Sequence, residues 1–365
     1  MQKIFMKNKT IWRVILVVVV IVSCVWILAP LGVRYYLNNK IFADMGSYTG
    51  YVEDVDVNLI AGSYALNNLT IWPKDGYKEV PFFYAEEFFI GVSWEALIRG
   101  ELLATAAVKN AELNFLDADK SEKPQTGKGT DWCDVLDALI PITLHRFEVS
   151  DSSITFQNFD AQPNVDVRAR DIEAVVTNLT NVKDAAGRRV AKAQLQATIL
   201  EDAPLIANAD FDPFDFNDFV FAAELQNIDL TQINNLTMHY ANLDFASGHG
   251  NVFAELIAGD GNLTGYIKPL LEDVDIASWE QDVEEQGDNP FQLLWEGTLG
   301  FLKTLFTNPS SKQFATQIDI SGTLDNTQID SWKAVWGVVK NAFFQALEEN
   351  FEEITPFTKG ASEED

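Results

Sequence analysis

Cysteine and histidine are scarce in this sequence, which has two cysteines and three histidines among its 365 residues. Cys24 lies in an N-terminal hydrophobic run and Cys133 lies outside it, so we expect no intramolecular disulfide. The chain has no H-x-x-x-H or C-x-x-C pair, which argues against a zinc site. It also lacks a G-x-S-x-G turn and a P-loop. The sequence therefore predicts a protein that is not an enzyme and that needs no metal or cofactor.

Basic residues are scarce beyond residue 40, where 20 Lys and Arg face 54 Asp and Glu. The first 40 residues differ, because they carry six Lys and Arg and no acidic residue. So acidic a body repels a phosphate backbone, which excludes nucleic acid as a partner. An anionic membrane surface would repel it as well, unless an anchor held the protein there.

A hydrophobic run near the N-terminus supplies such an anchor. It carries no charge from Val14 to Ala29, and with its flanks (residues 11–33) it has the length of a membrane-spanning helix. Four basic residues precede it, so the positive-inside rule predicts a cytoplasmic tail at residues 1–10. A cleaved signal peptide is the alternative, but the run is long and no A-x-A site follows it. We predict an uncleaved single-pass anchor.

Short alternating segments dominate the chain after the anchor. In "AKAQLQATI" (191–199), apolar and polar residues alternate without a break, which is typical of a strand with one face in water. A helical turn is predicted within 93–103, ending at Gly100. The predicted strands are a pair within 51–72 and single strands at 105–118, 144–149, 152–159, 164–170, 171–177, 191–200, 218–230, 234–245, 251–258, 262–268 and 313–322. The fold class is therefore mainly β (α+β), with a long antiparallel sheet.

Helical periodicity returns only at the end of the chain. One amphipathic helix is predicted after Pro290 and a second at residues 331–351. The second helix ends in glutamates, which favours docking on the sheet over binding a membrane surface. Two segments are polar and aperiodic, namely a predicted loop at 119–131 and an acidic tail at 356–365.

Two further patterns admit two interpretations each. The stretch "ADFDPFDFNDF" (209–219) could supply oxygen ligands for calcium, but it lacks the order of an EF-hand loop, and we interpret it as a solvated turn. The tripeptide N-L-T occurs four times, at Asn68, Asn178, Asn235 and Asn262. Each could be a glycosylation acceptor, but we favour a repeated Asn turn that precedes a strand.

Three parts of the chain share one style of strands and turns, namely "YVEDVDVNLIAGSYALNNLTIW", "ITLHRFEVSDSSITFQNF" and the ending that contains "NPFQLLWEGTLGFLKTLF". They resemble the bacterial DUF748 proteins of the AsmA-like group, and the likeness covers most of residues 30–350. The resemblance implies an anchor in the bacterial inner membrane and a curved periplasmic β-sheet with a hydrophobic groove. It assigns residues 41–275 to this β-domain and 276–355 to a helix–strand–helix part of the same module. It also implies a role in phospholipid transport and envelope integrity.

With this resemblance, the apolar strand faces become candidates for a groove that contacts phospholipid acyl chains. Ordinary core packing is the alternative for each of them. A rival function is a periplasmic scaffold that binds envelope proteins through sheet edges and its acidic surface. The candidate groove residues are Leu195, Ala197, Ile199, Phe219, Phe221, Leu225, Val252, Leu256, Phe314, Ile318 and Ile320.

Overall fold

One long N-terminal helix and a single open β-sheet make up the fold in the computed structural model of the protein, which confirms the mainly β prediction. The first twelve strands lie in the sheet in the order of the chain, and the thirteenth pairs with the eleventh. Every strand pair whose register is known is antiparallel. The chain divides into two compact units, Met1–Phe156 and Gln157–Asp365. The structure describes residues 2–92, 94–99, 103–117, 125–127, 130, 135, 139, 144–179, 191–212, 215–279, 313–315 and 317–323.

The first unit begins with the hydrophobic helix and continues into paired strands. Its elements are α1 (Gln2–Tyr36), a π-helical turn (Leu37–Ile41), β1 (Tyr48–Asn58), β2 (Ser63–Pro73), β3 (Phe83–Val92), α2 (Trp94–Ile98), β4 (Ala104–Asp117) and β5 (Leu144–Asn158), which extends two residues into the second unit. The predicted strand pair within 51–72 and the helical turn within 93–103 are thereby confirmed.

The core of the first unit lies on one face of β1–β4. Hydrogen-bonded registers place apolar residues of successive strands side by side, as in the row Val55, Leu66, Phe88 and Val108. Leu37 and Phe42, from the segment that joins α1 to β1, are buried in the same cluster.

The second unit is a succession of long strands with one short helical insertion. Its elements are β6 (Val165–Thr177), β7 (Ala191–Ile199), β8 (Ala203–Asp212), β9 (Asp215–Asp229), a 3₁₀ turn (Leu230–Ile233), α3 (Asn234–Ala241), β10 (Leu243–Gly259), β11 (Asn262–Trp279), β12 (Gln313–Ala315) and β13 (Ile318–Thr323).

Two predicted strand breaks are wrong. The segments 144–149 and 152–159 form the continuous strand β5, and 164–170 and 171–177 form β6. Asp151 and Asp171 lie at these points with φ of 51°, and the register of β6 with β7 shifts between Arg170 and Glu173. Aspartate tolerates the left-handed conformation, so each strand absorbs an irregular residue instead of turning back.

The prediction of a strand at 234–245 is also wrong, because α3 occupies most of it. The Asn234 side chain bonds both backbone groups of Phe245, which holds the start of the helix against β10. Asn242 ends the helix in the left-handed conformation, with φ of 51°. Asn235 of the third N-L-T tripeptide therefore lies in a helix and does not precede a strand.

The acidic stretch at 209–219 is a hairpin with strands on both sides. Strand β8, which was not predicted, extends to Asp212, and β9 begins at Asp215, so most of the predicted turn is strand, and residues 213 and 214 lie outside the described residues. Within the predicted loop 119–131, only 125–127 and Thr130 are described, and there Gln125 is buried and pairs with Leu116. The two predicted C-terminal helices lie outside the described residues.

Candidate functional site

The N-terminal helix is long and apolar enough to cross a membrane, over the segment Trp12–Ile41. The side chains of the uncharged run are exposed along nearly its whole length, from Val14 to Leu28, and Ala29 is half-buried. An exposed apolar helix of this length requires a nonpolar environment. This agrees with a single-pass anchor.

An uninterrupted apolar surface lies on one face of five neighbouring strands in the second unit. The row that passes through Leu195 shows how it is built, because Leu195 pairs with Ala207, Ala207 with Ala223, Ala223 with Ala254, and Ala254 with Ile267. Residues directly opposite in an antiparallel ladder share a face, and so do alternate residues of one strand.

We call this surface the apolar face and define it by the residues of β7–β11 that these registers bring together. They are Ala191, Ala193, Leu195, Ala197, Ile199, Ala203, Leu205, Ala207, Ala209, Phe211, Phe219, Phe221, Ala223, Leu225, Val252, Ala254, Leu256, Ala258, Leu263, Gly265, Ile267, Pro269 and Leu271. None of these positions carries a polar side chain. Five strands make a surface about 19 Å wide, and eight residue steps make it about 26 Å long.

The candidate groove residues predicted from the sequence come together here. Eight of them belong to the apolar face, namely Leu195, Ala197, Ile199, Phe219, Phe221, Leu225, Val252 and Leu256. The other three lie on the next strands, where Phe314 pairs with Leu271, Ile318 with Ile267, and Ile320 with Gly265. Ile320 is buried.

One end of the apolar face belongs to a packed core. Ile199, Leu225 and Val252 pack against a buried cluster that includes Leu230 of the 3₁₀ turn and Phe245 of β10. Leu195 and Phe221 do not belong to this cluster and are half-buried. All five residues are half-buried, so they differ in whether they contact the cluster and not in how exposed they are.

At the centre of the apolar face, the sequence pattern did not point to Ala207 or Ala223. Ala207, Ala223 and Ala254 are consecutive there, with Phe221 and Leu256 beside them in the next row. Ala207 was missed because β8 was not recognised, and alanine carries little signal by itself. Small side chains between larger ones leave a shallow depression in the surface of a sheet.

The opposite face of the same strands is mostly polar. Lys192 and Asp210 form an ion pair at 3.8 Å across β7 and β8. Burial raises the pKa of Tyr266, and its hydrogen bond to the Glu255 carboxylate adds to this rise. Two of the large apolar side chains on this face are exposed, Ile206 (50%) and Ile257 (41%).

Possible metal ligands are dispersed in the part of the chain that the structure describes. No group of three His, Cys, Asp or Glu side chains there could hold a metal ion. His239, which was predicted in a strand, lies in α3 with Nε2 3.3 Å from Nδ2 of Asn158. Cys133 lies outside the described residues, and Cys24 is a free thiol in α1. No protein-family model and no curated protein matches this chain.

Proposed function

We propose that this is a non-enzymatic, membrane-anchored protein of AsmA-like type whose apolar face binds the acyl chains of phospholipids. The observation that carries the proposal is the continuity of that face, in which five adjacent strands contribute only apolar residues. An acyl chain needs contiguous apolar surface and no specific polar partner. A site of this kind therefore contains no recognisable motif.

The dimensions of the apolar face suit this ligand. Half of the hydrocarbon core of a bilayer is about 15 Å thick, which is shorter than the length of about 26 Å along the strands. Each methylene group removed from water contributes about 0.8 kcal/mol. Eight methylenes of an acyl chain that lies on Ala207, Ala223 and Ala254 would thus contribute about 6 kcal/mol to binding. The loss of conformational entropy of the acyl chain would reduce this figure.

The charge distribution supports the proposed location. Basic residues at the start of α1, before its uncharged run, favour a cytoplasmic N-terminus, which puts the acidic body on the other side of the membrane. In the AsmA-like interpretation, this membrane is the bacterial inner membrane and the body is periplasmic. A role in lipid transport for the cell envelope follows from that interpretation.

A second candidate function is a periplasmic scaffold that binds envelope proteins through its sheet edges. The packing of Ile199, Leu225 and Val252 against a core cluster favours it, because this part of the apolar face already has contacts within the protein. The edge of β1 argues against it at that end of the sheet. There the Asn38 side chain already bonds both backbone groups of Val52, and the Phe42 carbonyl accepts from the Gly50 N–H.

Site-specific photocrosslinking separates the two candidates. A photoreactive amino acid replaces Leu195 or Phe221 in the full chain, which is illuminated in its membrane. The matched controls carry the same amino acid at Ile206 or Ile257, on the opposite face of the same part of the sheet. Mass spectrometry then identifies the adducts.

We expect phospholipid adducts at Leu195 and Phe221 and few at the controls. Adducts only to the protein's own chain at the two test positions would assign the apolar face to core and favour the scaffold. The double variant Leu195→Asp with Phe221→Asp should lose bound lipid while keeping the circular dichroism of the wild type. Its control is Ile206→Asp with Ile257→Asp, which should keep both.

A further inference from the structure

A cluster of large apolar side chains is exposed at one end of the first unit. It combines the tip of the β1–β2 hairpin with the short helix α2, and its most exposed members are Ile98 (86%), Ile60 (69%) and Trp94 (51%). The Trp94 indole N–H donates to the Ala61 carbonyl at 2.8 Å, so α2 and the tip are joined. We call this cluster the hairpin-end patch, and its members are Leu59, Ile60, Trp94, Leu97 and Ile98.

The hydrogen bonds between the anchor and β1 establish on which side of the unit this patch lies. The Phe42 carbonyl accepts from the Gly50 N–H at 2.8 Å, and Asn38 bonds the backbone of Val52 at 2.8 and 2.9 Å. Asn38 precedes Phe42 in the chain, whereas its partner Val52 follows Gly50. The anchor and β1 therefore run in opposite directions, and the hairpin tip points back toward the membrane span.

The lengths of the two elements allow the tip to reach the membrane surface. Leu59 follows Val52 by seven residues, which is about 23 Å along a strand. The uncharged run ends at Ala29, nine residues before Asn38, which is about 14 Å along a helix. The tip therefore reaches the level of Ala29 for any angle below about 50° between helix and strand.

The chemistry of the patch agrees with shallow insertion. Tryptophan and large aliphatic side chains are typical of the boundary between headgroups and acyl chains. Asp54 and Asp56 of β1 are exposed, which keeps the body of the strand in water and confines insertion to the tip. Exposed apolar residues that stand alone need no explanation, but five in one place mark a binding surface.

We propose that the hairpin-end patch inserts into the outer surface of the same bilayer that α1 crosses, as a second membrane contact. This inference rests on α1 spanning the membrane and is independent of lipid binding by the apolar face of the second unit. The occupant of the patch is the lipid surface itself. The anchor and the patch together would hold the first unit in one orientation on the membrane.

Fluorescent labels in vesicles test the proposal. The full chain, with Cys24→Ser and Cys133→Ser, receives one new cysteine at Ile60→Cys or Ile98→Cys and an environment-sensitive dye. It is reconstituted in vesicles of phosphatidylethanolamine and phosphatidylglycerol. The control is Glu79→Cys, an exposed position in the connection at the opposite end of β2 and β3.

We expect the labels at 60 and 98 to emit at shorter wavelength, to be quenched by lipids with a nitroxide on the acyl chain, and to resist iodide. The label at 79 should emit at longer wavelength, escape quenching by the nitroxide lipids and be quenched by iodide. Labels at 60 and 98 that match the control, in protein that resists extraction with alkali, would overturn the proposal. Protein that is extracted with alkali would overturn it as well, because α1 would then not span the bilayer.

Discussion

Replacing Asn38 with alanine tests whether the anchor is joined rigidly to the sheet. Asn38 Nδ2 donates to the Val52 carbonyl at 2.9 Å, and Oδ1 accepts from the Val52 N–H at 2.8 Å. The side chain thereby makes the two hydrogen bonds that a residue of a neighbouring strand would make at the edge of β1. Val52 is fully buried, so bulk water does not reach its backbone. Asn38→Ala therefore leaves the N–H and the carbonyl of Val52 without a hydrogen-bond partner.

The size of the effect follows from these two bonds. A typical intramolecular hydrogen bond contributes about 1 kcal/mol net, and a buried polar group left unpaired costs about 1–3 kcal/mol. We therefore expect Asn38→Ala to reduce the free energy of opening at Val52 by about 2 kcal/mol, which is about a 30-fold faster amide exchange.

Hydrogen exchange of the full chain in detergent measures this directly. Asn39→Ala is the matched control, because the Asn39 side chain bonds only the Tyr35 carbonyl within the helical segment and is exposed. Asn38→Asp keeps the acceptor for the Val52 N–H and should protect that amide better than alanine does. Equal exchange at Val52 in the wild type and in Asn38→Ala would refute the reasoning, since the junction would then not depend on this side chain.

Three further changes have defined outcomes. Gly265→Ala adds a methyl group that overlaps backbone atoms of β10, so the melting temperature should fall by the equivalent of about 1–3 kcal/mol. Gly32→Ala is the control, because its methyl group meets no atom within 4 Å, and it should leave the melting temperature unchanged. The Thr231 hydroxyl donates a hydrogen bond to the Asp229 carboxylate, which lowers the pKa of Asp229 in the folded protein. The charged carboxylate therefore stabilises the fold at any pH above its pKa in the unfolded chain. This stabilisation is lost as the pH falls through its pKa in the folded protein. Asp229→Ala should therefore lower stability in urea by about 1 kcal/mol at neutral pH, and a deficit of the same size below pH ~3 would contradict this. Burial raises the pKa of Tyr64 to about 12, so the neutral phenol contributes to stability below pH ~10, and this contribution is lost as the pH rises toward 12. The stability of Tyr64→Phe should therefore depend less on alkaline pH than that of the wild type. The same dependence of stability on pH in both proteins would argue against this.

The faces of the strands were predictable because alternation is a local property. Once "AKAQLQATI" is recognised as a strand, period two assigns Leu195 and Ala197 to the same side. Antiparallel neighbours with the same alternation then extend that side across the sheet, as Phe221 and Leu256 do. Residues chosen separately from β7, β9 and β10 consequently share one face without any knowledge of the registers.

The irregular positions were not predictable because one residue type supports two outcomes. Aspartate in the left-handed conformation can reverse the chain in a turn, or it can continue the strand through a bulge, as Asp151 and Asp171 do. Only the pairing with the neighbouring strand decides between these outcomes. The helix α3 was missed for a related reason, since the contacts that stabilise it, such as Asn234 with Phe245, join residues eleven positions apart.

The anchor and the core of the first unit share residues, which links membrane insertion to folding. Leu37 and Phe42 follow the hydrophobic helix directly and are buried against the apolar side of β1–β4. No flexible linker separates the two, because Asn38, between these residues, is bonded to β1.

An acyl-binding surface differs from a protein core in what covers it, and not in its residue types. Both are built from alternating aliphatic and aromatic side chains, so composition alone assigns Leu195 and Val252 to the same class. Contacts distinguish them, because Val252 packs against a buried cluster, whereas Leu195 lies outside that cluster beside a row of alanines. A search for motifs finds nothing in such a protein, and the distinction between core and binding surface has to come from the registers and contacts of individual residues.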